Sequence, residues 1–261
     1  MHQWKYLKWF VEQIESLFNY RKRTQAMPKN RYVDFISDKD FLECVNGVCK
    51  SYASSVGGKV DLERLMRNTV DPFKVLFDTH NLKISLEKWI INERMRQEDK
   101  TINNEIGYFH QKLLGKVDGW KNLGTGDESN VDLKKEDNSV FIELKNKYNT
   151  MNSDATKECR QKLERIISKY PEATAYWAFI ISKTGTSGET VWAKGGFQTK
   201  DNLRKIWGKK VYELVTGDPD AMEKTWRALP KALDDILKSK TGNDKREQKE
   251  ILKFFKSAFE R

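Results

Sequence analysis

Three side chains between Val131 and Lys145 have the types and the spacing to hold a hard cation beside a phosphate. In Val140-Phe141-Ile142-Glu143-Leu144-Lys145, the two-residue alternation of an extended strand puts Phe141, Glu143 and Lys145 on one side and Val140, Ile142 and Leu144 on the other. Upstream, Val131-Asp132-Leu133 begins a second segment of strand character, and the polar run Lys135–Ser139 between the two reads as a tight hairpin connection. Pairing across that hairpin brings Asp132 alongside Glu143 and Lys145. Two carboxylates and an ammonium at a sheet edge can hold Mg²⁺ and position a water for attack on phosphorus, because that ion takes oxygen ligands and can bridge protein and phosphodiester.

An acidic residue, any residue and then lysine is a short pattern in a chain that is 33% charged, and it recurs at Glu98–Lys100 and Glu247–Lys249. Both of those lie in polar stretches that read as helix, where residues two apart do not share a face. Only Glu143–Lys145 has an apolar strand around it and an aspartate on the strand before. The plain reading of the same residues is a solvated strand face with a cross-strand ion pair. The order of the surrounding elements favours the site.

Those elements begin with a helix whose face carries Ile102, Ile106, Phe109 and Leu113 and which stops at Gly115. Strand-like segments follow at 117–123, 131–134 and 140–148. A helix from Ser153 or Asp154 through Cys159, Leu163, Ile166 and Ile167 is ended by Pro171. The run Thr174–Ser182 (TAYWAFIIS) is apolar nearly throughout, as in a strand buried on both faces, and a shorter strand at 190–193 comes next. Before residue 99 the chain reads as helices: an amphipathic stripe over 4–23, one started by Ser37 or Asp38, pieces at 62–66 and 73–77, and one capped by Ser85 and running to about Gln97. From Lys200 onward helix is expected again, with stops near Gly217 and Gly242. Trp120, Trp177 and Trp192 fit core positions, and His110, beside core-facing Phe109, reads as a helix-surface residue with no assigned role.

Composition limits the partners. The 261 residues carry a net charge of +10, which is an electrostatic footprint for a protein that meets phosphate. Apolar residues at 38%, with 11% aromatic, are enough to build a core. No run of eighteen apolar residues suggests a membrane span, and the charged N-terminal stretch does not read as a secretory signal. Cys44, Cys49 and Cys159 are too few for a disulfide framework, and with His2, His80 and His110 they match no familiar zinc spacing. A reducing cytoplasm is the expected location.

Asp132…Glu143-Leu144-Lys145 inside this order of elements resembles the PD-(D/E)XK nuclease superfamily. The string Glu143-Leu-Lys-Asn-Lys-Tyr-Asn-Thr-Met-Asn-Ser153, with GKVDGWKNL over 115–123, resembles a type II restriction endonuclease family that cuts GGNCC-like palindromes. The resemblance covers roughly Glu105 to Ser182, and the proline of the superfamily name is replaced by Val131. It implies a nuclease core, a mixed sheet flanked by helices; with the helices read on either side of it, the whole is an α/β fold with N- and C-terminal helical arms. It implies Mg²⁺ held by Asp132, Glu143 and the carbonyl of Leu144, with Lys145 near the attacking water and Glu105 of the preceding helix joining the cluster. A homodimer on double-stranded DNA, and a cognate DNA methyltransferase in the same system, are further implications.

On this reading the chain is one domain, with residues 1–98 a helical arm, 99–195 the nuclease core and 196–261 a C-terminal helical region. Lys147, Asn149 and Asn152, in the loop leaving the Glu143 strand, and Lys194 before Gly195-Gly196 are expected to contact DNA. Two other functions fit part of the pattern: a structure-selective repair or junction nuclease of the same fold, and a basic DNA-binding protein without catalysis.

Overall fold

The computed structural model describes residues 30–260 except 56–64, 66–67, 125–130, 194–199 and 239–244. The expected stripe over 4–23, most of the piece at 62–66, Lys194 with Gly195-Gly196, and the stop near Gly242 lie outside the described residues. Described helices are α1 (Asp38–Ser55), α2 (Pro72–Leu82), α3 (Leu86–Leu114), α4 (Ser153–Lys169), α5 (Lys209–Thr216), α6 (Ala221–Leu237) and α7 (Lys245–Phe259). The strands are β1 (Trp120–Asn122), β2 (Leu133–Lys135), β3 (Val140–Lys147), β4 (Thr174–Ile181), β5 (Gly188–Val191) and β6 (Leu203–Trp207). Among the described residues no helix is long and apolar enough to cross a membrane, and all three cysteines are free thiols.

Local chemistry sets the ends of these elements. Ser37 Oγ accepts the Asp40 N–H at the start of α1, and Ser85 Oγ accepts the Lys88 N–H at the start of α3. Asp71 caps α2, with Pro72 in its first turn, where a missing N–H costs nothing. Gly217 closes α5 in the left-handed region at φ 74°. At the end of α3, a Cβ on Gly115 would lie 2.7 Å from the backbone nitrogen of Asn122, so only glycine lets β1 pass this close to the helix end.

The sheet order is β1-β2-β3-β4-β6-β5. The β1–β2, β2–β3 and β5–β6 pairs are antiparallel, whereas β3–β4 and β4–β6 are parallel. The hairpin between β2 and β3 closes with Asn138 at φ 59°, a conformation asparagine tolerates better than most residues. Alternation along β3 assigns its side chains to two cores. Ile142 and Leu144 pack with Phe109 and Leu113 of α3, Tyr212 of α5 and Phe255 of α7. Phe141 packs on the other face with Cys159, Leu163 and Ile166 of α4, and with Trp192. The mixed sheet is therefore covered on both faces, as the α/β expectation requires.

Two expectations about elements fail. Residues 203–207 form β6, a strand inside the sheet, where helix was expected. Leu203 and Ile206 are three apart, a helical spacing, but in the strand they point to opposite faces, one into each core. The break expected near Asp99 is also absent. From Leu86 to Leu114 the chain is one 29-residue helix, because the sequence there has no proline, and its lone glycine, Gly107, is accommodated. The short strand expected at 190–193 is present two residues earlier, at Gly188–Val191.

Candidate active site

Asp132 lies immediately before β2, where Leu123 N–H donates to its carbonyl and its own N–H donates to Ile142 O, so its backbone is tied into both neighbouring strands. The Leu144 N–H donates to Asp132 Oδ2 at 2.7 Å. From the opposite face of β3 to the Leu144 side chain, Lys145 Nζ donates to Glu143 Oε1 at 2.6 Å and stands 3.6 Å from Asp132 Oδ2. The residues singled out by alternation and hairpin pairing thus converge. Glu143 is 8% exposed, against 21% for Asp132 and 28% for Lys145, so the cluster is recessed and still reachable.

The electrostatics follow from that crowding. Burial, and then the neighbouring Glu143 charge, raise the Asp132 pKa above the ordinary aspartate value, against the pull of Lys145 and the Leu144 N–H. Burial works against the Lys145 ammonium, but the Asp132 and Glu143 carboxylates outweigh it, and its pKa lies above the ordinary lysine value. Lys145 is therefore a proton-bearing cation at neutral pH. It can orient a water or meet negative charge, and it is a poor base.

The donor set suits a hard divalent cation. Among the described residues no three His, Cys, Asp or Glu side chains are grouped so as to hold a metal ion, so any further protein ligand would be an oxygen of another kind. Leu144 provides it. Ile142 bonds toward β2, and Leu144, two residues on, points the same way, beyond the last β2 partner in the register. The Leu144 carbonyl accepts from Gln111 Nε2 of α3 at 3.4 Å, a long bond that a cation could displace. Two close carboxylates, one of them resisting ionisation, beside a weakly engaged carbonyl fit a cation of the Mg²⁺ class.

Glu105 stands apart from this cluster. Its Oε1 accepts from Lys112 Nζ at 2.8 Å and faces α1, where a Cβ on Gly47 would lie 3.2 Å away. The side chain that α3 does send to the site is Gln111. Lys147, at the end of β3, and Asn149, just beyond it, are exposed, while Asn152 Oδ1 accepts the Ala155 N–H at 2.8 Å and caps α4. Lys162 of α4 is a neighbour of the cluster that the sequence reading missed, with Nζ 2.5 Å from Glu143 Oε2. Its signal was a lysine at the margin of the stripe formed by Cys159, Leu163 and Ile166. His110 is not on the surface: it lines a cavity of about 530 Å³ behind β3, and its Nδ1 lies 2.8 Å from Tyr212 Oη.

Comparison with known proteins bears on the same segment. The family model described as "Eco47II restriction endonuclease" matches residues 33–238. The type II restriction enzyme Sau96I of Staphylococcus aureus is 34% identical over 221 residues, covering 81% of this chain and 83% of that protein. The type II restriction enzyme Eco47II of Escherichia coli is 34% identical over 222 residues, covering 80% and 90%. These matches favour site-specific cleavage over the structure-selective nuclease and the non-catalytic binder. The chain belongs to the Eco47II restriction endonuclease family, and its activity is that of a type II restriction enzyme, the site-specific cleavage of double-stranded DNA.

Proposed function

We propose that Asp132, Glu143 and the Leu144 carbonyl hold Mg²⁺ at the cleavage site, that Lys145 serves the attacking water, and that the DNA site is a short palindrome of the GGNCC type. The observation that carries this reading is the convergence of Asp132 Oδ2, Glu143 Oε1 and Lys145 Nζ at one end of β3. When bound, the cation would supply charge to the scissile phosphate and lower the pKa of a water. The chain's own residues do the rest. Asp132 is kept in place by the Leu144 N–H, and Glu143 by its lysine partners. Lys145 presents a protonated ammonium that can orient the water and offset charge gathering on the phosphoryl oxygens.

A palindromic site mirrors two-fold protein symmetry, and one active centre cuts one strand, so the working unit is a homodimer on DNA. The enzyme acts in the cytoplasm, with a cognate DNA methyltransferase protecting host sites. Lys147 contacts phosphate from the end of β3, and Asn149 reads a base edge from the loop beyond it. Lys194 is a further DNA contact. Digesting a plasmid of known sequence in Mg²⁺ and mapping the ends tests the reading as a whole. Discrete fragments ending at GGNCC-type sites are expected. Fragments ending at unrelated sites would overturn the specificity, and cleavage that is undiminished in chelator would overturn the metal.

A further inference from the structure

Glu143 has two lysines on its one carboxylate. Lys145 Nζ holds Oε1 at 2.6 Å from within the same strand, and Lys162 Nζ holds Oε2 at 2.5 Å from α4, across the layer. Lys162 is 21% exposed, at the edge of a helix face that buries Cys159, Leu163 and Ile166 together with Arg160. A lysine at such a place can lay its stem along apolar surface while its head reaches away, and here the ammonium is directed onto a carboxylate that is 8% exposed.

We propose that Lys162 is a positioning residue for the cleavage site, fixing the plane of the Glu143 carboxylate so that Oε1 faces Asp132. The geometry gives the two lysines different jobs. Lys145 lies between Glu143 and Asp132, on the side where a cation and the scissile phosphate must come, so its bond to Oε1 is one that loading disturbs. Lys162 approaches from α4 and takes the other oxygen. Its bond persists while Oε1 is engaged, and because it comes from a separate element it prevents the side chain from turning away. A partner that orients a metal ligand in this way typically changes metal affinity by about 10–100-fold when removed.

This inference rests on the assignment of Asp132 and Glu143 as cation ligands, so the test includes both. Ca²⁺ binding to the full chain on cognate duplex is measured by calorimetry for wild type, Lys162→Met, Lys162→Arg and Glu143→Gln, with thermal melts of each. Mg²⁺ dependence and kcat of cleavage are measured separately. Lys162→Met, which keeps the apolar stem, should weaken Ca²⁺ binding by about 10-fold or more and raise the Mg²⁺ requirement, and Lys162→Arg should restore most of both. Unchanged or tighter Ca²⁺ binding in Lys162→Met overturns the proposal, as does an equal loss in Lys162→Arg. Unchanged Ca²⁺ binding in Glu143→Gln overturns the metal assignment instead, so the two failures are distinct. If Lys162→Met melts before the assay temperature, Lys162→Gln replaces it under the same criteria.

Discussion

Leu144 donates its backbone N–H to Asp132 Oδ2 at 2.7 Å, so the first acidic residue is bonded to the residue lying between the second acidic residue and the lysine. The side chain of Asp132 thereby takes a backbone donor of β3 beyond the last β2–β3 strand pair. The same contact holds the Asp132 carboxylate beside Glu143 and Lys145.

Asp132→Asn and Glu143→Gln keep size and hydrogen-bonding shape but remove charge that a hard cation needs. Plasmid cleavage in Mg²⁺ should fall by several orders of magnitude in each. DNA binding, followed by mobility shift in Ca²⁺ or in chelator, should persist or tighten as repulsion between carboxylate and phosphate is relieved. Cleavage within a few-fold of wild type in Asp132→Asn would place the chemistry elsewhere.

Lys145→Ala should also abolish cutting while leaving DNA binding intact, through loss of the cation beside the water. The matched control is Glu98 with Lys100 on α3. Glu98 Oε1 accepts from Arg94 Nε at 2.7 Å as an ordinary pair one turn apart. Glu98→Gln with Lys100→Ala should cut near the wild-type rate, because that pair has the spacing but no strand face. A dead control alongside an active Lys145→Ala would reverse the assignment.

Asn152 distinguishes recognition from capping. Its Oδ1 takes the Ala155 N–H, so Asn152→Ala should lower stability by about 1 kcal/mol in denaturant titrations, and Asn152→Asp should recover it. An aspartate keeps the acceptor but brings negative charge toward DNA. Weaker DNA binding in the stable Asn152→Asp variant is the outcome expected of a residue at the DNA surface. Equal binding by wild type and Asn152→Asp would leave the residue a helix cap alone.

His110 gives the fold a pH dependence. Burial lowers its pKa to about 4, so the folded protein keeps the ring neutral where the unfolded chain, titrating near 6.5, takes up a proton. Stability from this residue is therefore complete above pH 6.5 and declines as pH falls toward 4. The decline is roughly 2 kcal/mol after allowance for the ring's partial accessibility from the cavity. Between pH 5 and 6.5, chemical denaturation of wild type should show falling stability, and His110→Gln should show a flatter profile. Identical slopes would mean that the histidine titrates alike in both states.

What the sequence determined by itself is the hairpin and its chemistry. Alternation along Val140–Lys145 fixes which side chains share a face, and a five-residue polar connection forces antiparallel pairing with the segment after Asp132, so the cluster was legible from local rules alone. The apolar run at 174–181 and the α4 stripe were legible for the same reason. The tertiary structure decided what depends on partners distant in the chain. Leu203 and Ile206 suit one helix face as well as two strand faces, and only the slot between β4 and β5 selects the strand. Glu105 had the right type and helix but turns toward Lys112 and α1, while Lys162, 19 residues beyond Glu143, reaches its second oxygen because the β3–α4–β4 crossover lays that helix over the strand. Spacing within a strand is set by its own backbone. Proximity between a helix and a strand is set by how both cores pack, and no short-range pattern encodes that.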